Sequence, residues 1–258
     1  MVPSPTSSFM KRALSFLLVA MCAAPLHAQS PLGDWAQHSR ERPHPPIQTP
    51  GPIAAVRAPA DAIVLFDGTS MAKWTHGDGA PAKWRVVDGA FQVVPRTGTL
   101  TTRDSFGDVH LHIEWMSPKP AVGKDQDRGN SGVFFGGGRY EVQILDSYDN
   151  ITYADGQAAS VYGQYPPTVN ASRPPGEWQS YDIVYHRPRF NAAGKLLSPA
   201  RLSVTHNGVL VQDDVKLVGP TANGSRPPYE AHPDRLPISL QDHGHPVRFR
   251  NVWMHNLE

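Results

Sequence analysis

The chain has 258 residues, 24 Lys and Arg against 23 Asp and Glu, and one cysteine, Cys22. A charge near zero with no basic run gives nucleic-acid binding no electrostatic footing. A single thiol excludes a disulfide framework and a cysteine-ligated zinc centre.

Lys11-Arg12 precede an apolar run from Ala13 to Ala24, and Leu26-His27-Ala28 ends in a small residue. That order is a secretory signal, so residues 1–28 are expected to be removed and the protein to be periplasmic or secreted. The run is too short for a membrane span, which takes about 20 residues. Met21 before Cys22 does not suit a lipid-attachment site, so a lipoprotein is not expected. Residues 29–60 carry Pro43, Pro45, Pro46, Pro50, Pro52 and Pro59 without apolar periodicity and read as an extended linker. Residues 61–258 read as one domain.

From Ala62 onward, short strand patterns alternate with turn signals. Ile63–Phe66 ends at Asp67-Gly68. Asp88-Gly89 and Asn207-Gly208 each sit between two strand-like runs, a strong hairpin signal. Val109, Leu111, Ile113 and Trp115 alternate with His110, His112, Glu114 and Met116, the pattern of a half-buried strand. Tyr181, Ile183 and Tyr185 repeat it, and runs at 236–240 and 247–254 close the chain. No helical period persists beyond the signal. The fold class is all-β, a two-sheet sandwich or jelly roll.

The stretch 128–146 (RGNSGVFFGGGRYEVQILD) reads as a hairpin. On its second strand Glu141 and Gln143 share one face, and Tyr140, Val142 and Ile144 fill the other. Asp146 is out of step, and a bulge at Ile144–Leu145 is expected to return it beside them. An acid, an amide and an acid on one surface suit polyol recognition and proton transfer. Residues 147–179 show no strand yet hold Tyr148, Tyr153, Tyr162, Tyr165 and Trp178. A loop that long is either functional or an Ω-loop packed by its own rings.

Several segments together resemble the 3-keto-disaccharide hydrolase family, whose members are also described as 3-keto-glucoside 1,2-lyases and 3-keto-2-hydroxy-glucal hydratases. They are 65–69 (LFDGT) with Trp74, Trp84 through Gly89, 111–115 (LHIEW), 129–135 (GNSGVFF), 140–147 (YEVQILDS), 174–179 (PPGEWQ), 206–209 (HNGV), 241–244 (QDHG) and 248–253 (RFRNVW). The resemblance runs in order over about residues 62–257. It implies a concanavalin A-like jelly roll of two antiparallel sheets with the site on a concave face. It also implies a substrate already oxidised at carbon 3, supplied by a sugar 3-oxidoreductase. The proton on carbon 2 is then acidic, its loss expels the group on carbon 1, and water adds back. Such a site needs a base, a donor for the enolate oxygen and an acid for the leaving oxygen. Gln143 stands where some jelly-roll glucanases have an acid and cannot ionise, which weighs against a two-carboxylate glycosidase.

Glu141, Asp146 and His243 are the candidate catalytic groups. Arg128, Asn130, Gln143, Tyr162, Trp178 and Gln241 are the candidate substrate contacts. His112 and Glu114, with Glu141 and His243, are candidate ligands for a divalent metal, which would assist enolate formation. No nucleotide or organic cofactor is expected. The same residues on a solvated strand face or in a capped turn carry no chemistry. The alternatives are therefore a carbohydrate-binding module of the same fold and a conventional glycosidase.

Overall fold

Alternating side chains and tight turns build the molecule strand by strand. The computed structural model describes Met1, residues 35–52 and residues 56–257, so residues 2–28 of the expected signal segment lie outside the described residues. Strands β1 (Ile63–Phe66), β2 (Trp74–His76), β3 (Arg85–Val87), β4 (Ala90–Gln92) and β5 (Leu100–Thr102) come first. The long β6 (Val109–Met116), β7 (Ser131–Phe135), β8 (Tyr140–Ile144) and β9 (Gln179–His186) follow. A small hairpin of β10 (Arg189–Phe190) and β11 (Leu196–Ser198) leads to β12 (Arg201–His206), β13 (Val209–Lys216), β14 (Ser239–Leu240) and β15 (Arg248–Asn256). The helical element among the described residues is one 3-10 turn, Ala154–Gly156.

Two antiparallel sheets result. The larger runs β13-β12-β9-β6-β15-β4-β3, with β1 also on β15, and the smaller runs β2-β5-β14-β7-β8. This is the concanavalin A-like jelly roll. Both predicted tight hairpins close as their sequences require, with positive φ at Asp88 and Gly89 (49° and 68°) and at Asn207 and Gly208 (52° and 81°). Leu111, Ile113, Tyr181 and Ile183 of the larger sheet and Val133, Val142, Ile144 and Leu240 of the smaller one belong to a single core. Burying these side chains is the main stabilising term.

Two features depart from the sequence patterns. Strand β6 is buried on both faces: His112 is fully buried and Glu114 is 4% exposed. The Trp253 ring stacks on His112 at 4.9 Å and covers that outer face. The 147–179 loop also gives β8 a neighbour. Ala159 N donates to Gln143 O and Gln143 N to Ser160 O, both at 2.9 Å, and Tyr162 N donates to Glu141 O at 3.3 Å. The loop thus covers an edge that would otherwise offer unpaired backbone groups.

The described residues from 35 onward form one compact unit. Within it the Pro-rich stretch does not stand free: Gln48 N donates to Asn170 O at 3.0 Å and Asn170 N to Pro46 O at 2.9 Å.

Candidate active site

Register sets the site. Gly132 pairs with Gln143 and Phe134 with Glu141, while Ser239 of β14 pairs with Phe134. Paired residues share a face, so Gln143, Glu141, Phe134 and Ser239 project from the outer side of the smaller sheet. Gln241, two residues past Ser239, joins them where its backbone N donates to Gly132 O at 3.0 Å. Asn130 before β7, Tyr162 from the loop beside β8, the 221–223 turn and His243 complete the walls. They enclose a cavity of about 270 Å³, near the lower end of small-molecule sites and a size for one sugar ring.

Among the described residues, Glu141 is the only carboxylate in this lining. It is 4% exposed, and burial pushes its pKa up to about 8. Space for its carboxyl comes from Gly132, where a Cβ would stand 2.5 Å from Glu141 Oε1 and 2.8 Å from the Phe134 ring. Gln143 is its polar neighbour. Gln143 Nε2 donates to Gln126 Oε1 at 2.9 Å, and its amide oxygen then faces Glu141 Oε1. The turned amide instead brings its NH2 to 3.1 Å from that oxygen. The first orientation suits a protonated Glu141 that donates, the second an ionised one that accepts. His243 sits on an exposed loop. Its neighbour Asp242 pins that loop by accepting from Gly98 N and Gly244 N, both at 2.9 Å.

Of the residues singled out from sequence, Glu141, Gln143, Asn130, Tyr162, Gln241 and His243 meet here. The others do not. Strand β8 ends at Ile144 with its register to β7 unbroken, so no bulge returns Asp146 to the Glu141 face. Asp146 instead accepts from Arg128 Nε at 2.8 Å, and Arg128 also donates to the carbonyls of Tyr148 and Asp149. This clamp, buried at Asp146 and half-buried at Arg128, holds the start of the long loop and occupies both partners. Trp178 lies on the other sheet, with the Arg250 guanidinium 4.0 Å from its ring centroid. The alternation that puts Gln179 in the core sends Trp178 outward there.

His112 and Glu114 also lie on that far face. The four candidate metal ligands are therefore split between the two sheets. Among the described residues no group of three or more His, Cys, Asp or Glu is arranged to hold a metal ion. His112 Nδ1 donates to Asp182 Oδ1 at 2.8 Å. Glu114 accepts from Arg250 Nε at 2.6 Å and from Asn251 Nδ2 at 2.8 Å. Burial opposes every charge in this network. The bonds to Asp182 and Glu114 nonetheless raise His112 to about 9, and the bonds from His112, Asn251 and Arg250 lower Glu114 to about 2. The network is a paired ionic layer, not a ligand set.

Sequence reading missed Phe134, Thr221 and Asn223 as wall residues. Phe134 was legible in principle, since it falls opposite Glu141 once the 136–138 turn is fixed. Thr221 and Asn223 arrive by tertiary folding and carry no local signal.

A family model for the 3-keto-alpha-glucoside-1,2-lyase-like domain matches residues 61–255. The chain belongs to this family. The 3-keto-disaccharide hydrolase of Bacteroides thetaiotaomicron is 24% identical over 164 residues, which cover 52% of this chain and 56% of that protein. The match thus spans only about half the length of that relative. A solved structure from Parabacteroides distasonis, provisionally named a glycosyl hydrolase, superposes with a TM-score of 0.76 at 42% identity, over 83% of this chain and 93% of that one. A second from the same organism, also provisionally named so, has a TM-score of 0.56 at 19% identity, over 76% of this chain and 94% of that one, and supports the fold alone. The family domain begins after the Pro-rich stretch, so residues 35–52 lie outside it.

Proposed function

We propose that this protein is an exported enzyme that cleaves 3-keto-glycosides by elimination and hydration. The carrying observation is Glu141: a buried carboxylate with no cation beside it among the described residues, pushed up to about 8, in a cavity whose other polar lining groups are amides, a phenol, a hydroxyl and an imidazole. A base tuned near neutrality suits removal of a proton next to a ketone.

In this reading the Glu141 carboxylate takes the proton from carbon 2. The electron pair of that C–H bond forms an enolate whose oxygen, on carbon 3, accepts hydrogen bonds from amides of the site, Asn130 and Gln241 being the candidates. Collapse of the enolate restores the ketone, forms a double bond between carbons 1 and 2, and breaks the bond from carbon 1 to the leaving oxygen. His243 at the mouth donates a proton to that oxygen. Water then adds its oxygen to carbon 1 as His243 takes a proton from that water, and Glu141 returns its proton to carbon 2. The net change is hydrolysis, and the site residues end as they began.

The family membership and the hydrolase name of the Bacteroides relative support this reading. The Lys11–Ala28 pattern supports export. A conventional glycosidase needs a second carboxylate across the scissile bond, and Asp146, the candidate for it, is held by Arg128 outside the cavity lining. Glu141→Gln in the mature chain is the test. Turnover of a 3-keto-glucoside should fall by about 10³-fold or more, while the Kd of the same compound by calorimetry stays within about threefold. Retained turnover would remove Glu141 as the base.

A further inference from the structure

The N-terminal segment that precedes the family domain reaches the cavity wall. Gln37 Nε2 donates to Ala222 O at 2.7 Å, on the turn that also supplies Thr221 and Asn223. Gly163, next to Tyr162, has φ +71°, and a Cβ there would stand 2.0 Å from Gln37 Nε2. The loop is therefore shaped to receive this side chain. Arg42 Nη1 donates to Gln164 O at 3.4 Å on the same stretch.

His38 is the centre of the contact. Its backbone N donates to Asp155 Oδ2 at 3.1 Å, and its Nδ1 stands 3.5 Å from Asp155 Oδ1. Asp155 is fully buried. On the other side of the ring, Nε2 lies 3.1 Å from Asn223 Oδ1. The ring packs 4.1 Å from the Tyr153 centroid and 5.0 Å from that of Tyr162, and the two tyrosine hydroxyls share a hydrogen bond of 2.7 Å. His38 has φ 62°, a conformation uncommon outside glycine that persists where surrounding contacts impose it. Both Tyr162 and Asn223 line the cavity.

We propose that the segment Gln37–Arg42 braces the wall of the catalytic cavity from behind, and that His38, oriented by Asp155, is a positioning residue that holds Tyr162 and Asn223 against the sugar. The inference rests on the cavity being the sugar site proposed above. It makes a stretch outside the family domain a determinant of substrate affinity. His38 acts through Tyr162 and Asn223 on ground-state binding, not on the proton transfer.

The test uses the full mature chain with His38→Ala, His38→Gln and Gln37→Ala. Removing one hydrogen-bonded prop should raise KM for a 3-keto-glucoside by about 10-fold and leave kcat within about twofold. His38→Gln, which can still reach Asn223, should recover part of that loss. Amide hydrogen exchange without any sugar should speed up at residues 153–163 and 221–224 in His38→Ala and stay as in the parent elsewhere. If the parent chain turns over no 3-keto-glucoside, the proposed reaction fails by itself. The wall is then read from the exchange pattern and from the calorimetric Kd of methyl 3-keto-glucoside in the same variants. Exchange at 153–163 and 221–224 unchanged, or KM (or that Kd) unchanged in both His38→Ala and Gln37→Ala, would overturn the proposal.

Discussion

Gly132 and Glu141 occupy one space: a Cβ on Gly132 would come within 2.5 Å of Glu141 Oε1. The missing side chain on β7 sets where the carboxyl on β8 rests. Gly132→Ala must displace Glu141 or the Phe134 ring. The expected cost is about 1–3 kcal/mol of stability, as for other overpacked sites, and at least about a 10-fold fall in kcat, since small misplacements of a base are expensive. Denaturant melts and steady-state kinetics on one preparation check both numbers.

Glu141 gives the fold and the reaction opposite pH preferences. Its ordinary value is 4.5 and burial carries it to about 8. Between those values the folded chain holds a proton that the unfolded chain has released, so stability falls as pH rises through the window. The total is roughly 4–5 kcal/mol, at about 1.4 kcal/mol per unit. The base must be ionised to act, so kcat/KM should rise with pH through about 8. Glu141→Gln should melt later than the parent at pH 9 and with it at pH 4. Equal melting at pH 9 would mean that the carboxyl is not strained by burial.

The Gln143 amide lies against Glu141, and in its turned orientation its NH2 donates to the carboxylate. Gln143→Leu keeps the bulk and removes that donor. The bond it would give the carboxylate, at 3.1 Å, is lost, so the acidic limb of the kcat/KM profile should move to higher pH. An unmoved limb would show that Gln143 does not touch the ionised form.

The outer face of the larger sheet should matter for stability and not for turnover. His112→Ala leaves Glu114 and Asp182 without their shared cation. Breaking a buried pair costs about 3–5 kcal/mol, and the Asp182 side chain, 35% exposed, is partly screened, so about 2–4 kcal/mol is expected. The His112 contribution is complete below its ordinary 6.5 and is lost as pH rises through about 9. Those of Glu114 and Asp182 are complete above their ordinary values and are lost as pH falls toward about 2. Trp178→Ala, which removes the ring under Arg250, should cost about 1 kcal/mol and leave KM unchanged. A raised KM in either variant would place this face in substrate binding.

Much of the fold was legible in the sequence because period-2 alternation and two-residue turns are local signals. The Asp-Gly and Asn-Gly turns fixed two hairpins. The alternation in 140–144 put Glu141 and Gln143 together on one face with Val142 behind them. What failed depended on non-local facts. Asp146 was drawn toward Glu141 by spacing alone, and only the partner Arg128 shows why it stays away. His112 and Glu114 resemble solvated groups because nothing nearby in sequence announces that Trp253 and Arg250 cover them. The 147–179 loop carries no strand pattern because its short pairing with β8 comes from a chain path and not from alternation.

The decisive measurement is turnover of a 3-keto-glucoside and of its unoxidised parent by the mature chain, each with hydrogen or deuterium at carbon 2. Elimination started by Glu141 predicts cleavage of the keto compound alone, slower with deuterium at carbon 2, and no such cleavage by Glu141→Gln. Cleavage of the unoxidised glucoside at a comparable rate, with no isotope effect from carbon 2, would contradict it.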